Sequence, residues 1–288
     1  MATGTPYNLN VSGVDNAVGA KLRVVHIDNM YPHEYYDPNR VAKLADRLAH
    51  DDTLANPPVV IEWHKKYVVL DGATRTNAFI QLGWPHIVVQ IASHKSKDIK
   101  LHTWHHAVCG LEPERLLSRM RGLPGIVVEA VSHNELQQEL LNRTAICAIV
   151  TLDENTFIAH ATHQTANTLS PLQAIVRAYT EIGGITRTIN DNLKTLVTEA
   201  PKLCALIIFP QFTLREVINA AISKVMFPAG ITRLLIPRRV LHLNINLEYL
   251  RSHESLASKN AWMNKLLAEK LTLGKVRYYQ ESVILLDE

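Results

Sequence analysis

Cysteine is scarce in this sequence. The 288 residues include three, Cys109, Cys147 and Cys204, and no two of them form a Cys-x-x-Cys pair. An odd number of widely spaced cysteines does not fit a disulfide framework or a zinc cluster. We therefore expect a reducing compartment, with the cytoplasm as the default location.

Long hydrophobic runs are also missing. The best apolar run, over residues 203–209, is far too short to cross a bilayer, which takes about 20 apolar residues. The N-terminus lacks a basic stretch followed by an apolar core, so we expect no signal peptide. These two absences predict a protein without a membrane partner.

An excess of charge of one sign is missing as well. The chain has 30 Lys and Arg residues against 27 Asp and Glu residues, a net charge of +3. So small an excess is no argument for nucleic acid, and it would suit an anionic substrate such as a nucleotide equally well. Hydrophobic residues are abundant, at 47%, so the chain can bury a core and disorder is not expected. The length allows one large domain or two ordinary ones.

The first third of the chain alternates between strand and helix patterns. Residues 1–20 are polar and rich in Gly and Asn, and we predict a flexible arm there. Asp37 is a good N-cap, and Pro38 suits a first helical position because its missing N–H would have had no partner. The predicted βαββαβ unit has strands at 22–27, 59–63, 67–70 and 86–91, a helix from Pro38 and a helix that ends at Gly83.

The middle third is predicted to be mostly helical, and the last sixty residues alternate again. These predictions follow from the spacing of apolar residues, and no internal repeat or low-complexity tract interrupts the chain. The predicted helices are 112–120, 132–141, 171–182, 191–200 and 247–270. The predicted strands are a pair within 145–160, followed by 232–236, 240–244 and 275–286.

The segment from Val68 to Arg75 carries the most chemical information. An apolar strand runs directly into a glycine turn that begins a helix, and the first amides of that helix have no internal partners. They lie at the positive end of the helix dipole, which makes a ready site for an anion. Gly72 lets a phosphate approach the backbone, and Arg75 adds a bidentate donor. Asp71 could orient a metal ion or a hydroxyl.

A simpler interpretation of the same residues is structural. Asp71 would cap the helix, Gly72 would make the turn, and Arg75 would pair with a surface carboxylate. For this segment alone, the structural interpretation is preferred.

The whole chain, however, resembles the ParB/sulfiredoxin superfamily, in which a strand, Asp-Gly-x-x-Arg, a helix, Leu-Gly and an apolar strand follow in this order. Within that superfamily it is most similar to the free L-serine kinases. The resemblance covers nearly the whole length in order, which is more specific than any single motif. It is carried by His33-Glu34, residues 71–75, residues 103–106, residues 228–233 with 239–243, and the C-terminal stretch 262–286.

This resemblance implies a fold class and an activity. The fold would be an α/β N-terminal ParB/sulfiredoxin-like domain over residues 21–110 joined to an α+β C-terminal domain over 111–288, with the active site in the cleft between them. The activity would be phosphoryl transfer from ATP or ADP to L-serine, with Mg²⁺ as cofactor. The product, O-phospho-L-serine, would feed a pathway such as siderophore or cysteine precursor supply.

The resemblance also implies roles for single residues around the phosphates. Glu34 would accept the proton of the serine hydroxyl, and Asp71 would lie near that hydroxyl and bind Mg²⁺. The simpler interpretation of Glu34 is an exposed loop carboxylate. The residues implied to bind the nucleotide phosphates are Gly72, Ala73, Thr74 and Arg75.

One position departs from the family pattern. A histidine usually precedes the arginine of the phosphate turn, and this chain has Thr74 there. Threonine can donate one hydrogen bond but carries no charge, so phosphate binding would be weaker or differently arranged.

The pocket for the amino acid is implied in the same way. Thr103 and Trp104 would wall it, since an aromatic face excludes water and packs beside a small ligand. Thr232 and Arg233 would bind the serine carboxylate, whose geometry suits a guanidinium fork. The simpler alternatives are a core tryptophan and a surface arginine.

The competing hypothesis is a non-catalytic ParB-like regulator that binds a nucleotide or haem and contacts DNA. DNA binding would need a helix-turn-helix, and the candidate helices are those predicted at 171–182 and 191–200, joined by Gly183 and Gly184. Their charge is low, so we interpret them as packing helices and do not favour DNA as a partner. Haem would need a His or Cys ligand, and no such residue stands out.

Overall fold

Two β-sheets, of five and six strands, organise the part of the chain that the structure describes. This computed structural model describes residues 11–93, 99–163, 169–200 and 202–279. Its strands are β1 (Lys21–His26), β2 (Met30–Pro32), β3 (Thr53–Leu54), β4 (Val59–Trp63), β5 (Lys66–Asp71), β6 (His86–Ala92), β7 (Lys100–Thr103), β8 (His105–Cys109), β9 (Ile126–Ala130), β10 (Cys147–Thr151), β11 (Thr156–Ala161), β12 (Gly184–Thr188), β13 (Leu203–Ile208), β14 (Thr232–Leu235) and β15 (Ile245–Asn246).

The helices range from short segments to one of 17 residues near the C-terminus. Within the described ranges, none of them combines the length and the apolar character needed to cross a bilayer. The helices are α1 (Val11–Val18), α2 (Pro38–His50), α3 (Ala73–Gln81), α4 (Pro113–Arg121), α5 (His133–Asn142), α6 (Leu169–Thr180), α7 (Leu193–Glu199), α8 (Leu214–Ser223), α9 (Leu247–Arg251) and α10 (Leu256–Thr272).

The five-stranded sheet has the order β1-β6-β4-β5-β2 and confirms the predicted βαββαβ unit. β2 is an added short strand that runs parallel to β5. α2 begins as predicted, because the Asp37 side chain accepts a hydrogen bond from the N–H of Asn39 at 2.9 Å. The residues of α2 and α3 that are buried against this sheet include Val41, Ala45, Leu48, Ala78 and Phe79.

The six-stranded sheet occupies the region predicted to be mostly helical. The four helices predicted there are confirmed as α4, α5, α6 and α7, but four strands of the sheet, β8, β9, β12 and β13, were not predicted. Its order is β12-β8-β13-β10-β11-β9, and every neighbouring pair is antiparallel. The hairpin predicted within residues 145–160 is confirmed as β10 and β11. The apolar spacing does not predict β13, because five of its six residues are buried and no in–out alternation marks it as a strand.

The flexible arm predicted for residues 1–20 needs correction. Residues 1–10 lie outside the described residues, but α1 is a regular helix that packs against β1 and α10. Val14 and Val18 are 0% and 9% exposed. Two valines four residues apart share one face of a helix. Here that face is buried in the core that packs on the five-stranded sheet.

The C-terminal helices pack on the first sheet. Met263 and Leu267 of α10 belong to the same core as β1 and β6. The fully buried ammonium of Lys259 donates to two carbonyl oxygens at the end of α9, both at 2.7 Å, and lies 3.0 Å from Nδ1 of His86. Burial lowers the pKa of Lys259. β8 ends at Cys109 but lies in the six-stranded sheet, whereas α10 packs on the five-stranded sheet. Each core therefore contains segments from both sides of residue 110, unlike the division predicted from the sequence.

Two predicted C-terminal strands are not found among the described residues. Within 240–244, His242 and Asn244 have φ values of 51° and 50°, which an extended strand cannot contain. Residues 275–279 form no strand either, and the remainder of that prediction, 280–286, lies outside the described residues. The helix predicted over 247–270 divides into α9 and α10, because Ser255 caps the start of α10.

The two helices considered for DNA binding do not form a helix-turn-helix. α6 and α7 are separated by β12, which pairs with β8 over five residues. A helix-turn-helix needs the second helix to follow the first after a short turn. This pair is therefore part of the packing around the second sheet.

Two short ribbons join distant parts of the chain. β14 pairs with β7 and places Thr232 opposite Thr103, and β15 pairs with β3. α8 contacts both β2 and β5. These contacts bring the downstream chain against the ends of β2 and β5, where Glu34 and Asp71 lie.

Candidate functional site

Glu34 lies just after β2, at the end of the first sheet. β2 runs parallel to β5 with Pro32 opposite Val69, and Glu34 and Asp71 each follow two residues after that pair. The backbone of Phe227 fixes this loop on both sides of Glu34, with hydrogen bonds of 2.8 and 2.9 Å. The carboxylate is thus placed by a sheet and by a backbone clamp from far along the chain.

The Glu34 carboxylate belongs to a connected set of polar groups. Oγ1 of Thr232 lies 3.0 Å from Glu34 Oε2 and 2.7 Å from His33 Nε2. The His33 ring is 3% exposed, and its Nδ1 lies 2.6 Å from the carbonyl oxygen of Val69. The N–H of Gly230 also donates to Glu34 Oε2, at 3.3 Å. Two predicted site residues, Glu34 and Thr232, are therefore in direct contact.

The Gly230 turn is supported by a buried histidine. Nε2 of His106 lies 3.1 Å from the Gly230 carbonyl oxygen, and Nδ1 lies 2.6 Å from the Tyr179 hydroxyl. Since a carbonyl oxygen only accepts, Nε2 carries the hydrogen and Nδ1 accepts from the phenol. Burial lowers the pKa of His106 to about 4, so this ring is neutral at neutral pH. A neutral chain from Tyr179 through His106 to Gly230 thus supports Glu34.

Sequence reasoning assigned no role to His33 or His106. Both lie within stretches that carry the resemblance, next to residues that were assigned one, and that position is the signal that could have found them. Their partners are far away in sequence, by 199 residues for the His33–Thr232 contact and 73 for the His106–Tyr179 contact. No local pattern shows such contacts.

The second half of the site is the turn between β5 and α3. Asp71 ends β5, and Gly72 precedes α3 with φ 90° and ψ 28°, a left-handed conformation that favours glycine. A Cβ at this position would lie 3.0 Å from two atoms of Pro58. Ala73 and Thr74 then begin α3 and are half-buried. The predicted strand, turn and helix are confirmed.

Two guanidinium groups hold Asp71. Nη2 of Arg75 donates to Asp71 Oδ2 at 2.8 Å, and its Nη1 donates to the carbonyls of Asn56 and Pro57 at 2.6 and 3.1 Å. Arg239, 168 residues downstream, also donates to Asp71 Oδ2. Arg239 was not among the predicted site residues, although it lies in a stretch that carries the resemblance. The arginine of this turn therefore pairs with Asp71 itself.

The residues predicted for the amino-acid pocket lie on the ribbon of β7 and β14. The Arg233 guanidinium lies 5.0 Å from the centre of the Trp104 ring, a cation–π contact, and the Thr103 hydroxyl donates to the Pro210 carbonyl at 3.1 Å. Thr232 and Arg233 are consecutive in β14, so their side chains leave opposite faces of the ribbon. Thr232 contacts Glu34, whereas Arg233 stacks on Trp104.

Two surface clefts lie away from all of these residues. One, of about 690 Å³, lies between α4 and α6 and is lined by arginines that include Arg115, Arg119 and Arg177. The other, of about 350 Å³, lies beside it near Gly125 and His163. Neither is lined by a predicted site residue, so cleft volume does not identify this site.

The chain is similar in sequence to ATP-dependent L-serine kinases. It is 23% identical over 282 residues to the ATP-dependent L-serine kinase SbnI of Staphylococcus aureus, a match that covers 95% of this chain and 100% of that protein. It is 29% identical over 89 residues to an ATP-dependent L-serine kinase of Staphylothermus marinus. That match covers 30% of this chain and 35% of that protein. No protein-family model matches the chain.

The fold is also similar to solved structures. A C-terminally truncated SbnI from Staphylococcus aureus superimposes with a TM-score of 0.69 at 21% identity, over 86% of this chain and 96% of that chain. A free serine kinase in complex with AMP superimposes with a TM-score of 0.68 at 16% identity, over 80% of this chain and 93% of that chain. The chain therefore has the mixed α/β fold of these serine kinase structures.

Proposed function

We propose that this protein is an ATP-dependent L-serine kinase that forms O-phospho-L-serine. The observation that carries the proposal is the similarity in order over 95% of this chain to a protein with that activity. The Glu34 carboxylate supports it, because Thr232 and the Gly230 N–H hold it in place and a kinase of free serine needs a fixed carboxylate to accept the hydroxyl proton. The five-stranded sheet would form a ParB/sulfiredoxin-like nucleotide-binding unit, and the six-stranded sheet would complete the substrate pocket.

The phosphates of ATP would bind at the start of α3. The amides of Gly72, Ala73 and Thr74 lie at the positive end of this helix, and Gly72 has no side chain to keep a phosphate away from the backbone. Arg75 is held by Asp71 and two carbonyls, so its guanidinium is already ordered beside the turn. Its fixed position would place a positive charge beside the bound phosphates.

Mg²⁺ fits this turn as a cofactor bound mainly by the substrate. No cluster of three or more His, Cys, Asp or Glu side chains suited to a metal occurs in the described ranges. Both guanidinium contacts to Asp71 are made to Oδ2, which leaves Oδ1 for a cation. Mg²⁺ commonly takes one carboxylate together with phosphate oxygens and water. When bound, it would neutralise charge on the transferred phosphoryl group.

Glu34 would act as the general base. Its Oε2 is held by Thr232 and by the Gly230 N–H, so the carboxylate is fixed in one orientation. The substrate hydroxyl would donate to this carboxylate as its oxygen attacks the γ-phosphorus. Asp71, the last residue of β5, would orient the phosphate side of the reaction.

The serine substrate would lie against the ribbon of β7 and β14. We assign Trp104 to the wall of the pocket and Arg233 to the serine carboxylate, where the indole face would keep the guanidinium in place. The Thr103 hydroxyl is bonded to a backbone carbonyl, so Thr103 would contribute shape. Thr232 would contribute through Glu34.

We place this reaction in the cytoplasm, where ATP is at hand. The three cysteines are free thiols in the structure, as in a reducing compartment. Burial raises the pKa of Cys147 to about 12 and that of Cys204 to about 11, so neither is a reactive thiolate.

A direct assay tests the proposed function. The purified protein is incubated with Mg²⁺, L-serine and ATP, with ADP in a parallel sample, and O-phospho-L-serine is measured by mass. We expect phosphoserine with ATP and L-serine, and much less product with D-serine or L-homoserine. A folded protein that forms no phosphoserine with either nucleotide would disprove the proposal.

A further inference from the structure

Three short contacts connect Val69 to Glu34 through two side chains. The first joins Val69 O to His33 Nδ1 at 2.6 Å. The second joins His33 Nε2 to Thr232 Oγ1 at 2.7 Å, and the third joins Thr232 Oγ1 to Glu34 Oε2 at 3.0 Å. A carbonyl oxygen and an ionised carboxylate have no hydrogen to donate. The set therefore starts and ends on an acceptor.

Counting hydrogens shows that this set is incomplete when Glu34 is ready to act as a base. A neutral His33 supplies one hydrogen, which its bond to Val69 uses, and Thr232 supplies one more. The Thr232 hydroxyl can donate to His33 or to Glu34, but not to both. With two hydrogens for three contacts, one short contact always lacks a hydrogen.

One added proton completes all three contacts, in either of two ways. It can lie on Glu34, which then donates to Thr232 while Thr232 donates to His33. It can equally lie on His33, which then donates to Thr232 while Thr232 donates to Glu34. The two arrangements differ only in the positions of hydrogens along the same contacts, so they interconvert without movement of heavy atoms.

We propose that Glu34, Thr232 and His33 form a proton relay, in which His33 holds the proton that leaves the serine hydroxyl. The relay rests on the proposed kinase activity and adds to it a destination for the proton. Glu34 touches the substrate, whereas Thr232 and His33 act through it as positioning residues.

The relay balances in atoms and charge. As the serine oxygen bonds to the γ-phosphorus and the bond from phosphorus to the ADP oxygen breaks, the serine proton moves to Glu34 Oε2, the carboxylate oxygen that faces Thr232. Glu34 then gives a proton to Thr232 Oγ1, and Thr232 gives its own hydroxyl proton to His33 Nε2. Glu34 is then ionised again beside the new phosphate ester. After product release, the proton returns from His33 through Thr232 to Glu34, which is half-buried and passes it to water.

The surroundings of the relay keep its geometry fixed. The backbone on both sides of Glu34 is bonded to Phe227, whose ring also packs edge-on against His33 with centroids 6.4 Å apart. His33 is 3% exposed, so bulk water does not compete for its Nε2. The N–H of Gly230, whose carbonyl is supported by His106, donates to the same Glu34 Oε2 that Thr232 contacts.

Single-turnover formation of phosphoserine tests the relay without interference from product release. His33→Asn keeps an N–H donor for Val69 but has no group that takes a proton. We expect it to slow the chemical step by roughly 10- to 100-fold with the KM for serine almost unchanged. His253→Asn, at an exposed histidine, is the matched control and should react like the wild type.

A second pair of variants separates the relay from packing. Thr232→Val removes the hydroxyl with nearly the same shape and should be as slow as His33→Asn, whereas Thr232→Ser restores the hydroxyl and should recover most of the rate. Because either change breaks the same relay, the double variant His33→Asn/Thr232→Val should be no slower than each single variant. Additive losses, or a Thr232→Ser variant as slow as Thr232→Val, would overturn the relay.

A proton inventory in mixtures of H₂O and D₂O gives an independent readout. The wild-type rate should curve with the deuterium fraction because several protons move, and the His33→Asn rate should be linear. If the wild type is active and its inventory is linear, or if His33→Asn reacts as fast as the active wild type, the relay is wrong but the kinase proposal stands. A wild type that forms no phosphoserine overturns the relay together with the kinase proposal.

Discussion

The two halves of the candidate site are built from different interactions. Around Glu34, hydrogen bonds connect buried groups, with His33 3% exposed and His106 0% exposed. Around Asp71, the contacts are between full charges, and the side chains of Asp71 and Arg239 are 35% and 41% exposed. We call the Glu34 half the closed half, because the groups that support its carboxylate are buried, and the Asp71 half the open half, because its charged groups are partly exposed.

This difference indicates what each half does. An exposed ion pair adds little to stability, and its guanidinium can exchange a carboxylate for a phosphate at low cost. A buried polar group that loses its partner costs about 1–3 kcal/mol, so the Glu34 half holds one geometry. We therefore expect changes near Glu34 to act on turnover and stability, and changes near Asp71 to act on the KM for ATP.

The largest effect is expected for Glu34→Gln. The amide oxygen can still accept from Thr232 and Gly230, so the fold should be retained, but an amide cannot take the substrate proton. We expect kcat to fall by about 10²- to 10⁴-fold, the usual contribution of a general base, with the KM for ATP nearly unchanged. Steady-state kinetics and a thermal melt measure both.

The matched control is Glu248→Gln, which removes a carboxylate from an exposed position in α9. It should leave kcat as in the wild type. If Glu34→Gln turned over at the wild-type rate, or if it mainly raised the KM for ATP, the separation of the two halves would be wrong.

Acid should weaken the closed half. Burial lowers the pKa of His106 from the ordinary histidine value of 6.5 to about 4. The stability that depends on its neutral ring is therefore complete above pH 6.5 and is lost as the pH falls toward and below 4. By linkage, this site can cost up to about 3 kcal/mol of unfolding free energy. Urea titrations at pH 7 and pH 4 measure the loss.

A variant without the titrating ring provides the comparison. His106→Gln keeps an N–H for the Gly230 carbonyl and cannot take up a proton in this pH range. Its unfolding free energy should fall less than that of the wild type between pH 7 and pH 4. Equal losses in the two proteins would show that His106 does not carry the acid sensitivity.

Tyr179→Phe should have a smaller effect on the same half. It removes the hydroxyl that donates to His106 and leaves a buried ring nitrogen without that donor. We expect a loss of about 1–3 kcal/mol in unfolding free energy and a modest drop in kcat, with no change in the KM for ATP. Tyr279→Phe, at a residue 63% exposed, is the control and should be neutral.

Apart from Arg239, the open half was the part that the sequence could predict. Its signals are contiguous: an apolar strand, Gly72 at a left-handed position and a helix start all fall within a few residues. The Asp37 cap of α2 was predictable for the same reason. Interactions between near neighbours leave a local pattern, and that pattern was sufficient here.

The closed half could not be predicted, because it is made by contacts between distant residues. Glu34 meets Thr232 across 198 residues, and neither neighbourhood carries a trace of the other. Four strands of the six-stranded sheet were also missed. Among them, β13 is buried on both faces and β12 is mostly exposed, so neither shows alternation. Only the resemblance over the whole chain placed Glu34 and Thr232 in one site.

The smallest effect is expected at Thr74, in the open half, where the family pattern has a histidine. Thr74→His adds a ring N–H, and a charge when protonated, in the first turn of α3. We expect the KM for ATP to fall by about 2- to 5-fold, which is no more than about 1 kcal/mol, with kcat and the KM for serine nearly unchanged. Thr74→Gln adds a donor without a charge and separates the two contributions. A Thr74→His variant that changed kcat rather than the KM for ATP would mean that the phosphate turn and the Glu34 half are coupled, because a change confined to ground-state binding leaves kcat alone.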